Sequence, residues 1–119
     1  MTRQTVFSWG RTAPSESDVL ALPSRFDALP ALAADSPSML PFGNGRSYGD
    51  SCLNPGGTLL STRYLDHFIG FDAATGVLRC EAGVLLSDIL KLIVPQGWFL
   101  PVTPGTRFVT VGGAVANDV

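Results

Sequence analysis

The sequence is poor in the residues that build metal sites and thiol nucleophiles. It holds one histidine, His67, and two cysteines, Cys52 and Cys80, in 119 residues. The cysteines are far apart and have no histidine near them, so the spacing does not indicate a metal site. Two free thiols are favoured over a disulfide, which stays open as the alternative. His67 stands alone in a turn-like stretch, and we assign it no function.

Charge and long apolar runs are also scarce. Charged residues make up 15% of the chain, and eight Lys and Arg against ten Asp and Glu leave a net charge of −2. Scattered basic residues form no basic patch, which argues against nucleic acid as a general partner. The apolar runs are too short to span a bilayer, and the first residues lack the basic-then-apolar layout of a secretory signal. We therefore expect one ordinary domain at most, with no membrane span and a cytoplasmic location.

Glycine is what the chain has in quantity, and its densest stretch is the loop PFGNGRSYGD at residues 41–50. Three glycines within seven residues allow tight folding and leave backbone N–H groups uncovered, an arrangement that binds phosphates. Arg46 adds a charge, Ser47 a hydroxyl and Tyr48 an aromatic face. The alternative is a plain surface loop between two strands. We favour the binding interpretation.

The first sixty residues predict a small open α/β sheet, with a meander of loops as the alternative. Residues 5–10 suit a short strand or an ordered arm, and residues 18–22 and 58–61 suit strands. A helix capped by Ser24 is expected between them, with Pro30 shortening or bending it. Its apolar face would contain Phe26, Leu29, Leu32 and Ala33. The glycine loop would lie at the carboxyl end of a strand, where such sheets bind ligands.

The second half predicts antiparallel pairing. Residues 68–71 and 77–81 flank a five-residue connection that ends in Gly76, which is typical of a hairpin. Ser87 is expected to cap a helix that Gly97 ends. The inward residues of that helix would be Ile89, Leu90, Leu92 and Ile93. Thr110 is expected to cap a short helix of small residues whose N–H groups face an anion; tight packing between elements is the alternative.

Three blocks, GNGRSYGD, EAGVLLSDIL and GWFLPVTPGTRFVTVGGAVAND, together resemble the FAD-linked oxidases of the vanillyl-alcohol-oxidase type, also called the PCMH-type FAD-binding family. The nearest branch is the decaprenylphosphoryl-β-D-ribose oxidase-like proteins. The resemblance implies an α+β fold. Residues 1–64 would form a small α/β subdomain carrying the pyrophosphate loop, and residues 65–119 the start of a second, mainly antiparallel α+β subdomain. The chain stops within a continuing element, so we expect a truncated, N-terminal fragment of a family member.

The resemblance also implies a site for non-covalent FAD. In the family the first loop lies along the FAD pyrophosphate, and the later segments line the flavin. Arg46 stands where several oxidases of this superfamily carry a histidine covalently linked to the flavin, so no covalent link is expected. No catalytic residue and no metal ligand is assigned. The cofactor-binding residues implied are Gly43, Asn44, Gly45, Arg46, Ser47, Tyr48, Gly49, Asp50, Gly105, Thr110, Val111, Gly112, Gly113 and Asn117.

The activity implied by the resemblance is oxidation of an alcohol carbon by hydride transfer to FAD, with a sugar-linked alcohol as one candidate. The small-molecule substrate would be held by the missing C-terminal domain, so we expect the piece alone to be inactive. Apolar surface that the missing part would cover predicts self-association. One alternative is an inert structured fragment. Another is a nucleotide- or phosphate-binding module of a different class, but GxGxxG spacing fails at Tyr48 and no Gly-Lys-Ser/Thr follows the glycines.

Overall fold

The first part of the chain forms a four-stranded mixed sheet. The computed structural model describes residues 2–11, 14–29 and 38–119. The strands are β1 (Thr2–Val6), β2 (Ser15–Ala21), β3 (Met39–Phe42) and β4 (Thr58–Ser61), in the order β1-β2-β4-β3. β2, β4 and β3 run parallel, and β1 pairs with β2 antiparallel. Three consecutive residues of β4 are buried, because this strand has a neighbour on each side and both its faces are covered.

The position of the glycine loop at the carboxyl end of a strand confirms the sequence prediction. The loop begins at residue 43, directly after the carboxyl end of β3. β2 starts earlier than predicted because β1 pairs along its first residues, Val6 opposite Ser15 and Thr5 opposite Glu16. β1 itself lies earlier than the predicted segment, and residues 7–11 continue it as a non-strand arm beside the loop.

The helix predicted from Ser24 is wrong for the residues that the structure describes. Residues 24–29 form no helix: Arg25 and Phe26 lie in a turn, and the side chains of Phe26 and Leu29 are 82% and 73% exposed. Ser24 accepts hydrogen bonds from the N–H groups of Phe26 and Asp27, each at 3.1 Å, which closes a turn. Leu29 precedes a proline and is thereby disfavoured from helical geometry. The predicted inward residues Leu32 and Ala33 lie outside the described residues.

The second part of the chain begins with the predicted hairpin, formed by β5 (Phe68–Asp72) and β6 (Val77–Cys80). Hydrogen bonds from the N–H groups of Ala74 and Thr75 to the Asp72 carboxylate hold the turn and lower the pKa of that carboxyl. Gly76 closes the connection with φ +75°, a left-handed conformation that favours glycine. The hairpin prediction is confirmed, with β6 one residue shorter than expected.

A helix, α1 (Leu86–Ile93), packs against this hairpin. Its buried core residues are Leu86, Ile89 and Ile93, joined by Val84, whereas Leu90 and Leu92 are only partly buried. A 3₁₀ turn (Val94–Gln96) continues the helix and ends at Gly97 with φ +86°, which confirms the predicted stop.

The predicted cap of α1 is wrong. Leu85 is the N-cap residue, and Ser87 lies inside the helix and is buried. The first N–H groups are satisfied by backbone instead, because those of Leu86 and Ser87 donate to the carbonyls of Val109 and Arg107 at 3.0 and 2.8 Å. A side-chain cap is therefore unnecessary. With one mixed four-stranded sheet, one antiparallel hairpin and few helices, the fold is α+β. The division at residue 64 stays a prediction.

A buried carboxylate, Glu81, ties the segment after β2 to the segment before β5. Arg25 Nη1 lies 3.1 Å from its Oε2, and the N–H and ring Nδ1 of His67 lie 2.9 and 2.5 Å from its Oε1. Burial alone would raise the pKa of Glu81. Hydrogen bonds from His67 and Arg25, together with the charge of Arg25, outweigh that effect and hold the pKa below its ordinary value of 4.5.

This lowered pKa predicts an acid-dependent loss of stability. A carboxyl whose folded pKa lies below its unfolded value stabilises the fold fully above the unfolded pKa, and that contribution is lost as pH falls through the folded pKa. We expect the free energy of unfolding in urea to fall below about pH 4.5, and Glu81→Gln to be less stable at neutral pH with a flatter acid limb. The exposed Glu16→Gln is the matched control. Parallel pH profiles for wild type and Glu81→Gln would contradict the assignment.

Candidate functional site

The glycine loop is held from one side by the arm that follows β1. Gly45 and Gly49 have φ +66° and +57°, which allow the chain to reverse twice within a few residues. The N–H of Trp9 donates to the carbonyl of Ser47 at 3.1 Å. The rings of Trp9 and Tyr48 pack edge to face with centroids 5.2 Å apart. The loop is thus anchored on this side through its second half.

Most backbone N–H groups of the loop have no protein acceptor among the residues that the structure describes. The N–H and the hydroxyl of Ser47 both hydrogen-bond to the Cys52 thiol, a weak acceptor. The other six N–H groups of the loop donate no hydrogen bond to an acceptor within residues 2–11, 14–29 and 38–119. These N–H groups belong to Gly43, Asn44, Gly45, Arg46, Tyr48 and Gly49. Clustered uncommitted N–H groups attract an anion.

Cys52, beside the loop, is a free thiol, as is Cys80. Burial raises the pKa of Cys52, and hydrogen bonds from its own N–H and from Ser47 only partly offset that effect. The thiol therefore stays protonated near neutral pH and is a poor nucleophile. Its contribution here is to occupy the donors of Ser47.

On the other side the loop contacts the segment that leads to the last helix. The side-chain amide of Asn44 donates to the carbonyl of Phe108 at 2.7 Å, and its Oδ1 accepts from Arg63. A Cβ on Gly43 would lie 2.5 Å from Thr110 Oγ1, so the backbone at Gly43 packs against the Thr110 side chain more closely than a side chain at position 43 allows. The structure thus brings together two predicted blocks that are about sixty residues apart in sequence.

Thr110 caps that helix, α2 (Val111–Ala116), as predicted. Its Oγ1 accepts from the N–H of Gly113 at 3.1 Å. The N–H groups of Val111 and Gly112 donate to the carbonyls of Val84 and Ala82, each at 2.9 Å. All three N–H groups of the first turn therefore have protein partners.

The expectation that these α2 amides face an anion is wrong for this structure. Gly112 serves close packing instead, since a Cβ there would lie 3.3 Å from both Cβ and the carbonyl oxygen of Ala82. The roles of Val111, Gly112 and Gly113 in cofactor binding stay predictions, and they would have to run through contacts other than these N–H groups.

Removing the capping oxygen should cost stability. We expect Thr110→Val to lower the free energy of unfolding by about 1 kcal/mol, because the Gly113 N–H loses its acceptor next to a buried side chain. Thr110→Ser keeps the oxygen and should stay closer to wild type. Urea unfolding of the three proteins checks this prediction, and equal stabilities for the Val and Ser variants would contradict it.

The remaining predicted residues lie at the margins. Gly105 is exposed and borders a cavity of about 190 Å³ next to α1. Asn117 ends α2 and donates its side-chain amide to the carbonyl of Gly113 at 2.8 Å. Asp50 is exposed, and its carbonyl accepts from the N–H of Leu53 at 2.9 Å. Their roles stay predictions.

An open cavity of about 450 Å³ lies between β1, the start of the glycine loop and the end of β4. Three arginines line it, Arg11, Arg46 and Arg63. Sequence reasoning singled out Arg46 but missed the other two. Arg63 could have been found, since it follows β4, whose carboxyl end meets that of β3 at one edge of the parallel sheet. Arg11 depends on how the arm folds back, which no local pattern shows.

Neither a metal-binding cluster nor a membrane-spanning helix is found in the part of the chain that the structure describes. No group of three or more His, Cys, Asp or Glu residues there is arranged to hold a metal ion. None of its helices combines the length and the hydropathy that crossing a bilayer requires.

The comparisons with known proteins identify the class to which this fold and loop belong. Residues 27–119 match the FAD-binding domain family, so the chain belongs to that family, and FAD is its cofactor. Over 122 aligned residues it is 37% identical to "Decaprenylphosphoryl-beta-D-ribose oxidase" of Mycolicibacterium smegmatis, covering 99% of this chain and 26% of that protein. It is 36% identical over 63 residues to "D-lactate dehydrogenase" of Anaerostipes hadrus, covering 53% of this chain and 13% of that protein. The relatives are oxidoreductases, and the chain spans about a quarter or less of their length.

Proposed function

We propose that this chain supplies the pyrophosphate-binding part of a flavin-dependent oxidoreductase that oxidises an alcohol carbon by hydride transfer to FAD. Two similar proteins, named as a ribose oxidase and a lactate dehydrogenase, support a substrate that carries a hydroxyl group. The substrate contacts and the catalytic base would come from residues outside this chain, which spans only part of those proteins. The piece alone would then be inactive.

The observation that carries the proposal is the set of uncommitted N–H groups in the glycine loop. Gly43 to Arg46, with Tyr48 and Gly49, offer donors that the described residues leave unpaired at the carboxyl end of β3. A pyrophosphate over such donors is stabilised without a metal ion. The donors are present and open, so the loop fits the cofactor. When bound, FAD supplies the hydride acceptor.

The protein's part in the reaction is positioning. Asn44 joins the loop to both Phe108 and Arg63, so one side chain links the loop to the segment before α2 and to the residue that follows β4 by two. Residues that hold the phosphates would thereby fix where the rest of the cofactor can lie. Orientation of this kind contributes to hydride transfer by holding donor and acceptor in a reactive geometry.

The cofactor would be held non-covalently. The loop position where related oxidases link a histidine to flavin holds Arg46, whose guanidinium offers only N–H donors and is not a nucleophile. The only histidine, His67, is committed to Glu81. Neither residue supports a covalent bond to the flavin.

The experiment is a visible spectrum of the full-length protein followed by acid precipitation. We expect a flavin spectrum, with all flavin released into the supernatant by acid. Reduction of that flavin by an added alcohol under anaerobic conditions would identify the substrate class. A protein that neither retains nor binds flavin would defeat the proposal, and flavin that stays with the precipitate would contradict the non-covalent part alone.

A further inference from the structure

The side chain of Asn44 lies between a group that can only donate and a group that can only accept. The Arg63 guanidinium donates to its Oδ1, and its Nδ2 donates to the carbonyl of Phe108 at 2.7 Å. A guanidinium has no acceptor, and a backbone carbonyl has no donor. Only one orientation of the Asn44 amide therefore satisfies both neighbours, because the flipped amide would set its oxygen against the carbonyl and its NH₂ group against a cation.

Arg63 strengthens the bond that Asn44 makes to Phe108. That bond is solvent-accessible, and on its own water could replace it. A hydrogen bond from a charged donor is stronger than one between neutral groups, and consecutive hydrogen bonds polarise one another. Within the part of the chain that the structure describes, no carboxylate pairs with Arg63 and competes for its guanidinium. Arg63 is therefore free to act on the Asn44 amide.

The backbone next to Arg63 is held against the residue that precedes the loop. Thr62 donates to the carbonyl of Phe42 twice, from its N–H at 3.1 Å and from its hydroxyl at 3.3 Å. Phe42 ends β3, and Gly43 follows it as the first residue of the loop. The Arg63 side chain thus begins at a point that is fixed relative to the start of the loop, so less freedom is lost when it reaches Asn44.

The restrained side chain sits among the N–H groups that carry the proposed function. Asn44 contributes one of the loop's unpaired donors, and Gly43 and Gly45 beside it contribute two more. Gly45 has φ +66°, a conformation open to glycine, and glycine leaves the backbone permissive on both sides of Asn44. A loop that is held in its binding conformation before the ligand arrives loses less entropy on binding. The bond from Asn44 to Phe108 supplies one such restraint.

We propose that Arg63 is a positioning residue whose guanidinium fixes the Asn44 amide, so that the glycine loop is held against the segment before α2 with its N–H groups arranged before the cofactor binds. Arg63 acts through Asn44 and needs no contact with the ligand. The consequence for FAD binding rests on the proposed function, whereas the restraint on Asn44 exists in the free chain.

The first measurement follows the side-chain amide of Asn44 by NMR in the chain without ligand. Arg63→Ala should shift the two Nδ2 proton resonances and speed their exchange with water several-fold, because the amide loses its charged donor. Arg63→Lys keeps a charged donor and should recover part of the wild-type signature. Arg79→Ala removes an exposed arginine of β6 and is the matched control. Asn44 resonances in Arg63→Ala that match those of the control would overturn the inference.

The second measurement is a double-mutant cycle on FAD binding, with Arg63→Ala, Asn44→Ala and the double variant titrated by flavin fluorescence. Arg63→Ala should weaken binding about tenfold, the loss expected for one hydrogen bond from a charged donor. The double variant should bind about as weakly as Asn44→Ala alone, because a residue that acts through Asn44 then has nothing left to position. Losses that multiply in the double variant would mean that Arg63 meets the ligand directly, contrary to the positioning role.

The two measurements separate this inference from the proposed function. A wild-type chain that binds no FAD, but in which the Asn44 amide depends on Arg63, would support the restraint on the loop and count against the flavin function. FAD binding that is as tight in Arg63→Ala as in Arg79→Ala would keep the flavin function and overturn the role of Arg63 in it.

Discussion

Replacing Gly43 by alanine will weaken FAD binding by about tenfold or more and destabilise the fold by about 1–3 kcal/mol. The new Cβ would lie 2.5 Å from Thr110 Oγ1 and 3.0 Å from its Cγ2. Thr110 is 3% exposed, and its Oγ1 already accepts from Gly113, so it has little room to move away. The loop must therefore shift, and its N–H groups lose the arrangement that the anion needs.

Gly70→Ala is the matched control for this variant, because a Cβ at Gly70 meets no atom within 4 Å and its φ is not positive. Flavin fluorescence titration and urea unfolding of both variants make the comparison. Wild-type affinity and wild-type stability in Gly43→Ala would show that the loop and Thr110 do not depend on their close approach.

Replacing Gly83 by alanine will reduce the free energy of unfolding by about 3 kcal/mol. Its Cβ would overlap the carbonyl oxygens of Thr62 and Leu65, which are backbone atoms and cannot rotate aside. The N–H of Gly83 also donates to that Leu65 carbonyl at 2.7 Å, so relieving the overlap breaks a hydrogen bond. The substitution would disturb the contact between the segment that joins β4 to β5 and the turn before α1.

Urea unfolding checks this prediction against Gly105→Ala, where a Cβ meets nothing within 4 Å and φ is not positive. We expect the control to stay within about 0.5 kcal/mol of wild type. A Gly83→Ala protein as stable as that control would mean that the turn relaxes without loss, contrary to the packing described here.

The parts of the fold set by local chemistry could be predicted from the sequence. The connection ending in Gly76 defines the hairpin because glycine accepts the positive φ that the turn requires. Thr110 caps α2 because its hydroxyl reaches an N–H three residues ahead. Gly97 ends the helical segment for the same conformational reason as Gly76.

The parts set by distant partners could not be predicted in this way. Ser87 has the chemistry of a cap, but the carbonyls of Arg107 and Val109 already satisfy the helix start. The amides of α2 illustrate the same limit, since carbonyls contributed by Ala82 and Val84 occupy them. A pattern shows which donors exist, whereas tertiary structure decides which of them remain free.

The glycine loop and the start of α2 both have the sequence pattern of an anion-binding segment, but in the structure their N–H groups have different roles. α2 uses its first N–H groups to hold the fold together and presents Thr110 as a surface against which the loop packs. In the loop of residues 43–49, every N–H group except that of Ser47 lacks an acceptor among the residues that the structure describes. Ligand binding is therefore expected at the loop rather than at the helix.

The most direct test of this claim is the change in backbone amide chemical shifts when FAD is added to the isotopically labelled chain. We expect the largest changes on the amides of Gly43, Asn44, Gly45, Arg46, Tyr48 and Gly49. The amides of Val111, Gly112 and Gly113, which have protein acceptors, should change less. Largest changes at those three amides, with the loop unaffected, would contradict it.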